Sequence, residues 1–275
     1  MHKKVILLTG ASSGLGKSTA DYLAKKGHMI IGTSRNAAQP DDLSIENNTS
    51  FPLMLKMDIT SEQSIKQVIS FIQKEFGRID VLINNAGWGI SGPIEETPIN
   101  QARELFNINF FGMLTVIQQV LPIMRKQQKG LIINLSSIGG VLGLPFQGLY
   151  SASKFAIEGL SEALRMEVHS YHIDVVLVEP GDFKTAFTKN RKKTLCSSSP
   201  YTDSVNKSTS IFEHDEQHGS DPKKVAQTIE KIIHSAHPKL RYRVGSLSQR
   251  FAASLKGVIS DRIVQWILMK YYKLT

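Results

Sequence analysis

Only one cysteine, Cys196, occurs in the 275 residues, which excludes an internal disulfide framework and suits a reducing cytosol. Its neighbours, Leu195 and Ser197 to Ser199, offer no metal ligand, so it reads as a loop thiol and no metal site is expected. The first apolar run, Val5 to Leu8, breaks at Gly10, too early for a secretory signal, and no apolar run reaches transmembrane length. A cytoplasmic location is the expectation. Acidic residues are scarce at one end: from Lys239 to Thr275 there are eight basic residues and only Asp261 against them, while the whole chain carries a net charge of +9. Such a tail is either a solvated face or a surface for lipid or an acidic partner. No nucleic-acid partner is expected.

Short apolar runs recur at Lys3 to Leu8, His28 to Ser34, Leu53 to Met57, Asp80 to Asn84, Gly130 to Ser136 and Ile173 to Val178. Helical patterns fall between and after them, at Gly14 to Lys26, Ser61 to Phe76, Pro98 to Gln127, Tyr150 to Tyr171 and Asp221 to Ala236. Apolar strands alternating with helices predict an α/β fold, a doubly wound parallel sheet of Rossmann type. Two starts look capped, "TSEQ" from Thr60 and "SDPKK" from Ser220. Residues 1–245 form one expected domain. Within it, Lys184 to Gly219 is polar and without periodicity, and reads as a mobile or lid-like substrate loop. Beyond it, residues 246–275 read as one basic amphipathic helix, docked on protein or lying at a membrane surface with Trp266 on its apolar stripe.

"TGASSGLG" places Gly10, Gly14 and Gly16 between the first strand and the first helix, where small residues let a backbone approach a pyrophosphate at the helix N-terminus. Ser12, Ser13 and Leu15 belong to the same turn. At the end of the second strand the acid that would bind a free ribose is missing, and Thr33, Ser34 and Arg35 stand there instead. With Lys17, Arg35 predicts NADP(H) rather than NAD(H). Asp58 and Ile59 end the third strand and Asn85, Ala86 and Gly87 follow the fourth, all at the rim where such sheets bind ligands. Ser137 closes the fifth strand. Thirteen residues later Tyr150 begins a Y-x-x-x-K pair with Lys154, which four-residue spacing sets on one helix face. A phenol next to an ammonium is a proton-transfer unit, the cation favouring phenolate. Trp88, Ile90, Leu142, Leu144, Phe146 and Leu149 are expected near the pocket mouth.

Together "TGASSGLG", "DIT", "NNAG", "NINFFG", "NLSS", "YSASK" and "VEPGDFKT", in this order from Thr9 to Thr185, resemble the short-chain dehydrogenase/reductase family. "GLPFQGLYSASKFAIEGL" and "VEPGDFKTAF" are further similar to its 17-beta-hydroxysteroid and retinol dehydrogenase branch. The resemblance implies Tyr150 as acid or base, Ser137 orienting the reacting oxygen, Lys154 on the nicotinamide ribose, and Asn109 kinking its helix and holding a relay water. It also implies that Pro180, Gly181 and Thr185 bound the nicotinamide pocket. The expected protein is a homo-oligomeric oxidoreductase moving a hydride between NADP(H) and a lipophilic alcohol, ketone or aldehyde. The alternative is a non-catalytic NADP(H)-sensing protein that presents its tail to a partner.

Overall fold

The computed structural model describes residues 3–40, 51–194 and 198–275, so Cys196 lies outside the described residues. The chain runs β1 (Val5–Thr9), α1 (Gly14–Lys25), β2 (Met29–Ser34), β3 (Leu53–Lys56), α2 (Glu62–Phe76), β4 (Val81–Asn84), β5 (Ile90–Ser91) and α3 (Ile99–Phe106). A π-helical turn at Asn107–Gly112 then leads into α4 (Met113–Gln127), β6 (Gly130–Leu135), α5 (Gly148–Glu167), β7 (Ile173–Pro180), α6 (Phe187–Asn190) and β8 (Lys192–Lys193). The chain ends with α7 (Thr202–Gln217), α8 (Lys223–Ile233), β9 (Arg241–Val244), α9 (Leu247–Leu255) and α10 (Asp261–Tyr271).

Seven strands form one parallel sheet in the order β3-β2-β1-β4-β6-β7-β9, and β5 pairs with β8 in a small second sheet. β1 is buried at every residue because helices cover both faces of the sheet, which is why its sequence is an unbroken apolar run. On one face α2, α4 and α5 insert Ile65, Val68, Val116, Val120 and Ile157; on the other, α1 and α8 insert Ala20, Leu23, Val225 and Ile229. Each large aliphatic side chain buried this way contributes roughly 1.5–3 kcal/mol. β1 and β4 are neighbours whose following connections diverge, so a crevice opens at the carboxyl ends of the strands.

Helix boundaries follow local chemistry. Ser61, not Thr60, caps α2 by accepting the Ser64 N–H at 3.3 Å, and Gly77 ends the helix at φ +68°. Asp221 accepts the Lys223 N–H at 2.8 Å as α8 begins. The helix from Ile99 to Gln127 is long and apolar enough to cross a bilayer, contrary to the expectation that no segment would be, but Val116, Val120 and Met124 bury one side of it in the core.

Three sequence expectations change. β9 is a seventh strand paired with β7, formed by residues of the basic end that lie within the expected 1–245 domain and for which no strand was expected. Its alternation of Arg241, Tyr242, Arg243 and Val244 is the pattern of an edge strand, so the long apolar run that marks the central strands is missing. Lys184 to Gly219 is not irregular: α6, β8 and the 16-residue α7 occupy much of it, with polar residues on the outer face of α7 and Val205 and Phe212 buried. The tail is two helices, broken at Lys256 to Ser260 where Gly257 takes φ +92°. One face docks on protein through Ala253, packed with Ile138 and Leu142, while Phe251, Val258 and Trp266 remain exposed.

Candidate active site

The carboxyl ends of the strands open into a single cleft of about 1310 Å³. Its wall includes Gly10, Ser12, Ser13, Gly14, Leu15, Arg35, Asp58, Ile59, Asn85, Ala86, Gly87, Ser137, Tyr150, Lys154, Pro180, Gly181 and Thr185. Gly16, Lys17 and Asn109 do not line it. Gly16 has another reason to be glycine: a Cβ there would lie 2.1 Å from the Gly10 carbonyl oxygen and 2.4 Å from Asn85 Nδ2. Asn85 Nδ2 donates to the carbonyls of Thr9 and Gly10 at 3.0 and 2.9 Å, and Thr9 Oγ1 accepts the N–H groups of Asn85 and Ala86 at 3.0 Å each. The Asn85 side chain is therefore a brace that clamps the glycine turn, rather than a free ligand. Gly10, at φ +68°, and Gly14, at φ +54°, hold conformations that suit glycine.

At one end of the cleft, Thr33, Ser34 and Arg35 stand beside Asp58. Asp58 accepts the N–H and hydroxyl of Thr60 at 2.9 and 2.7 Å, and these bonds, with the nearby Arg35 charge, hold its carboxyl below the usual range. Lys17 instead pairs with Asp21 at 2.7 Å on the helix surface. Open space, a glycine turn at a helix N-terminus and an exposed cation fit a dinucleotide carrying phosphate.

Midway along the cleft, Ser137 follows β6 and caps a short turn, its Oγ accepting the Gly139 N–H at 3.0 Å. Ser137 and Tyr150 line the same wall, and Ser137 acts on the phenol in the sense that lowers its pKa. Tyr150 and Lys154 share a face of α5, with Nζ 5.8 Å from the phenol ring centroid and donating to the Leu135 carbonyl at 2.9 Å. Both are buried. Burial pushes the Tyr150 hydroxyl up to about 12, against the lowering effect of Ser137, whereas a lowered value was expected. Burial also lowers Lys154 to about 8, opposed by the carboxylate of Glu158 one turn further on. At Tyr150, desolvation outweighs the lowering effects of Ser137 and Arg191.

Asn109 is 1% exposed within the π-helical turn. Its Oδ1 accepts the Trp88 N–H at 3.0 Å, and its Nδ2 donates to the Trp88 carbonyl at 3.0 Å and to Ser153 Oγ at 3.1 Å. The side chain thus ties α3–α4 to α5 and to the loop after β4, with both of its amide protons used in doing so.

At the far end the wall holds residues for which the sequence reading had no marker. Asp182 follows Gly181; Phe187 and Arg191 come from α6 and its end; Phe212, Asp215 and Glu216 from α7; Gln249 from α9; and Tyr271 from α10. Arg191 binds both carboxylate oxygens of Glu216 and stacks on Phe187 and Phe212 at 5.2 and 4.5 Å from the ring centroids. Of the expected mouth residues, Trp88, Leu142 and Leu144 line the cleft, but Ile90, Phe146 and Leu149 do not. Ile90 is buried in β5, and Phe146 packs on Tyr201. Beneath the cleft, Glu158, Glu162 and Glu179 pair with Arg241 of β9, and Glu179 also with Arg243 at 2.7 Å, so two cations of the presumed tail are neutralised inside the fold.

Residues 4–195 match the family model described as short chain dehydrogenase. The chain is 45% identical over 274 residues, 99% of each chain, to a 3-ketodihydrosphingosine reductase of Bacteroides thetaiotaomicron. It is 33% identical over 255 residues, 86% of this chain and 80% of the relative, to human retinol dehydrogenase 8. Among solved structures, a short-chain dehydrogenase from Streptomyces avermitilis superposes with a TM-score of 0.80 at 32% identity, covering 100% of this chain and 97% of the other. Relatives of this fold have been solved with NAD and with an NADP derivative bound. With a parallel seven-stranded sheet, a serine, tyrosine and lysine in one cleft and full-length similarity to such enzymes, this chain belongs to the short-chain dehydrogenase family, as an oxidoreductase resembling its retinol dehydrogenase branch.

Proposed function

We propose that the protein is an NADP(H)-dependent reductase of a long-chain ketone, with Tyr150 as the acid that protonates the carbonyl oxygen. The observation that carries this reading is that Ser137, Tyr150 and Lys154 line one cleft that is continuous with the glycine turn. The nicotinamide supplies hydride chemistry when bound, and the chain's residues do the rest. Gly10 to Leu15 would seat the pyrophosphate, Arg35 the 2′-phosphate, and Lys154 the nicotinamide ribose, with Pro180, Gly181 and Thr185 bounding the ring. Ser137 orients the substrate oxygen, and Tyr150 holds the proton that this oxygen receives. A raised phenol pKa suits an acid in the reducing direction, since the proton stays in place until charge develops on the oxygen. Asn109 serves the relay through its main chain, because its side chain is committed to Trp88 and Ser153.

A lipophilic substrate is supported by the apolar walls Leu142, Leu144, Ala252, Ile267 and Leu268, and by similarity to a relative whose name specifies 3-ketodihydrosphingosine, a long-chain amino ketone. Since α10 lines the cleft and exposes Ile263 and Trp266, 49% and 56% accessible, among basic residues, we read it as a peripheral membrane contact through which such a substrate enters. The exposed Phe111 and Met166 offer surface for homo-oligomer contacts. The test is NADPH oxidation at 340 nm by purified protein with 3-ketodihydrosphingosine in mixed micelles. Turnover with NADPH and weak turnover with NADH is expected; absence of turnover overturns the reading.

A further inference from the structure

Tyr150 has two unlike neighbours along the cleft wall. One is Phe187 of α6, half-buried, its ring centroid 5.8 Å from that of Tyr150 and its plane tilted by 58°. The other is Leu144: a Cβ added at Gly139 would lie 3.3 Å from Leu144 Cδ1, 3.4 Å from Tyr150 Cε1 and 3.5 Å from Ser137 Oγ, so this leucine stands close to both hydroxyl-bearing residues. Leu144 belongs to an aliphatic patch with Ile138, Leu142 and Ala253. Phe187 rests instead on Gly89 and Arg191, a set that shares no residue with that patch.

Phe187 is braced in place. A Cβ at Gly89 would lie 2.8 Å from Phe187 Cζ and 3.1 Å from Cε1, so the ring edge lies on bare backbone. The Arg191 guanidinium sits 5.2 Å from the Phe187 centroid, and is itself held by Glu216 of α7 and by the Phe212 ring at 4.5 Å. The main chain is tied as well. Phe187 N–H donates to Thr185 Oγ1 at 3.2 Å, and Lys192 N–H to the Gly89 carbonyl at 3.0 Å, where β8 pairs with β5. Moving the ring would open packing contributed by several separate elements.

Steric asymmetry of this kind decides stereochemistry. In ketone reduction by NADPH the carbonyl carbon gains a hydride with its electron pair, the π bond to oxygen breaks, and the oxygen takes the proton held by Tyr150. The carbon is planar and hydride reaches it from one side, so exchanging its two substituents presents the opposite face and yields the opposite alcohol. A braced ring beside Tyr150 admits a short substituent, whereas the aliphatic patch runs on to Ala252, Ile267 and Leu268 in the same cleft and accommodates a long one.

We propose, resting on the reductase reading above, that Phe187 is a specificity-determining residue that orients an unsymmetrical ketone. The short end faces Phe187, the long alkyl chain leaves along Leu144 towards α10, and one configuration of the alcohol results. A single methylene that does not fit such a pocket changes kcat/KM by about 10- to 200-fold.

The experiment uses the purified full-length protein with NADPH and two ketones in mixed micelles. One is 3-ketodihydrosphingosine, with its carbonyl near one end; the other is a straight-chain ketone of equal length with its carbonyl at mid-chain. Chiral chromatography reads the configuration at the new carbinol carbon of the first product. The wild type should give one configuration in at least about tenfold excess, and should use the mid-chain ketone at least about tenfold less efficiently. Phe187→Ala should bring the two configurations towards parity and raise relative kcat/KM for the mid-chain ketone by about tenfold. The configuration ratio does not depend on how much of the protein is active, so partial unfolding cannot imitate this result. Where Phe187→Ala does not fold, Phe187→Leu is read in its place with the same two outcomes. Equal amounts of both configurations from the wild type, a measurement that needs no variant, overturn the inference and leave the reductase reading standing. So does a variant that retains the wild-type ratio of configurations. Turnover of neither ketone by the wild type overturns the proposed function itself, and this inference with it.

Discussion

Replacing Glu158 by Gln tests how a lysine as buried as Lys154 keeps its charge. On α5, Tyr150, Lys154, Glu158 and Glu162 recur every four residues and so share one face, and the acids of that face meet Arg241 of β9. The charged or titratable groups around Lys154 are therefore Glu158 on its own helix, Tyr150 one turn before it, and Glu179 and Arg241 beyond Glu158. With about 6 Å between i and i+4 side chains and an effective dielectric near 20, the Glu158–Lys154 attraction is on the order of 2–3 kcal/mol, about two pH units. Arg241, 2.9 Å from Glu158, offsets part of that charge, so about one unit is the expected effect. The sign is definite. Lys154 is cationic below its pKa of about 8, and removing the carboxylate lowers that value further, so less of the lysine is charged at any pH near neutral. If the ammonium holds the ribose, the alkaline loss of NADPH affinity must move to lower pH by about one unit. The assay is an NADPH fluorescence titration between pH 6 and 9, with melting temperatures measured alongside. Gln still accepts from Arg241, which favours retention of the fold. Superimposable affinity profiles in two equally stable proteins would refute the electrostatic argument.

Tyr150→Phe should lower kcat by about 10²–10⁴-fold with little change in NADPH affinity, measured by steady-state kinetics and direct titration; near-normal turnover removes Tyr150 from the proton path. Arg35→Asp should shift the kcat/KM preference for NADPH over NADH by about tenfold to a hundredfold towards NADH, and an unchanged ratio would place selectivity elsewhere in the turn. The double substitution Phe251→Ser and Trp266→Ser, at positions 65% and 56% exposed, should change stability by only about 0.5 kcal/mol per site yet reduce co-sedimentation with anionic vesicles. Undiminished vesicle binding would return these helices to a protein-docking role alone.

The central strands were legible because a strand covered on both faces must be apolar at successive residues, as in Val5–Thr9 and Ile173–Pro180. The glycine turn and the Tyr150–Lys154 pair were legible for a similar reason: their chemistry lies in a few residues at short fixed spacing. β9 was not, since an edge strand that pairs its arginines with acids on α5 and β7 looks like a basic tail until those acids are beside it. Asp182, Arg191, Glu216 and Gln249 carry no local signature, coming from four separate stretches that only tertiary packing brings to one wall. Even the electrostatics of the recognised pair depended on the fold. Spacing alone predicts an ammonium that eases the phenol's ionisation, whereas burial, a property of the whole structure, raises Tyr150 and lowers Lys154. The sequence by itself thus determined the parallel sheet, the glycine turn and the Tyr150–Lys154 pair, because local pattern encodes them. Only the tertiary structure decided what surrounds the Tyr150 hydroxyl, because charge and desolvation act through space between residues far apart in the chain.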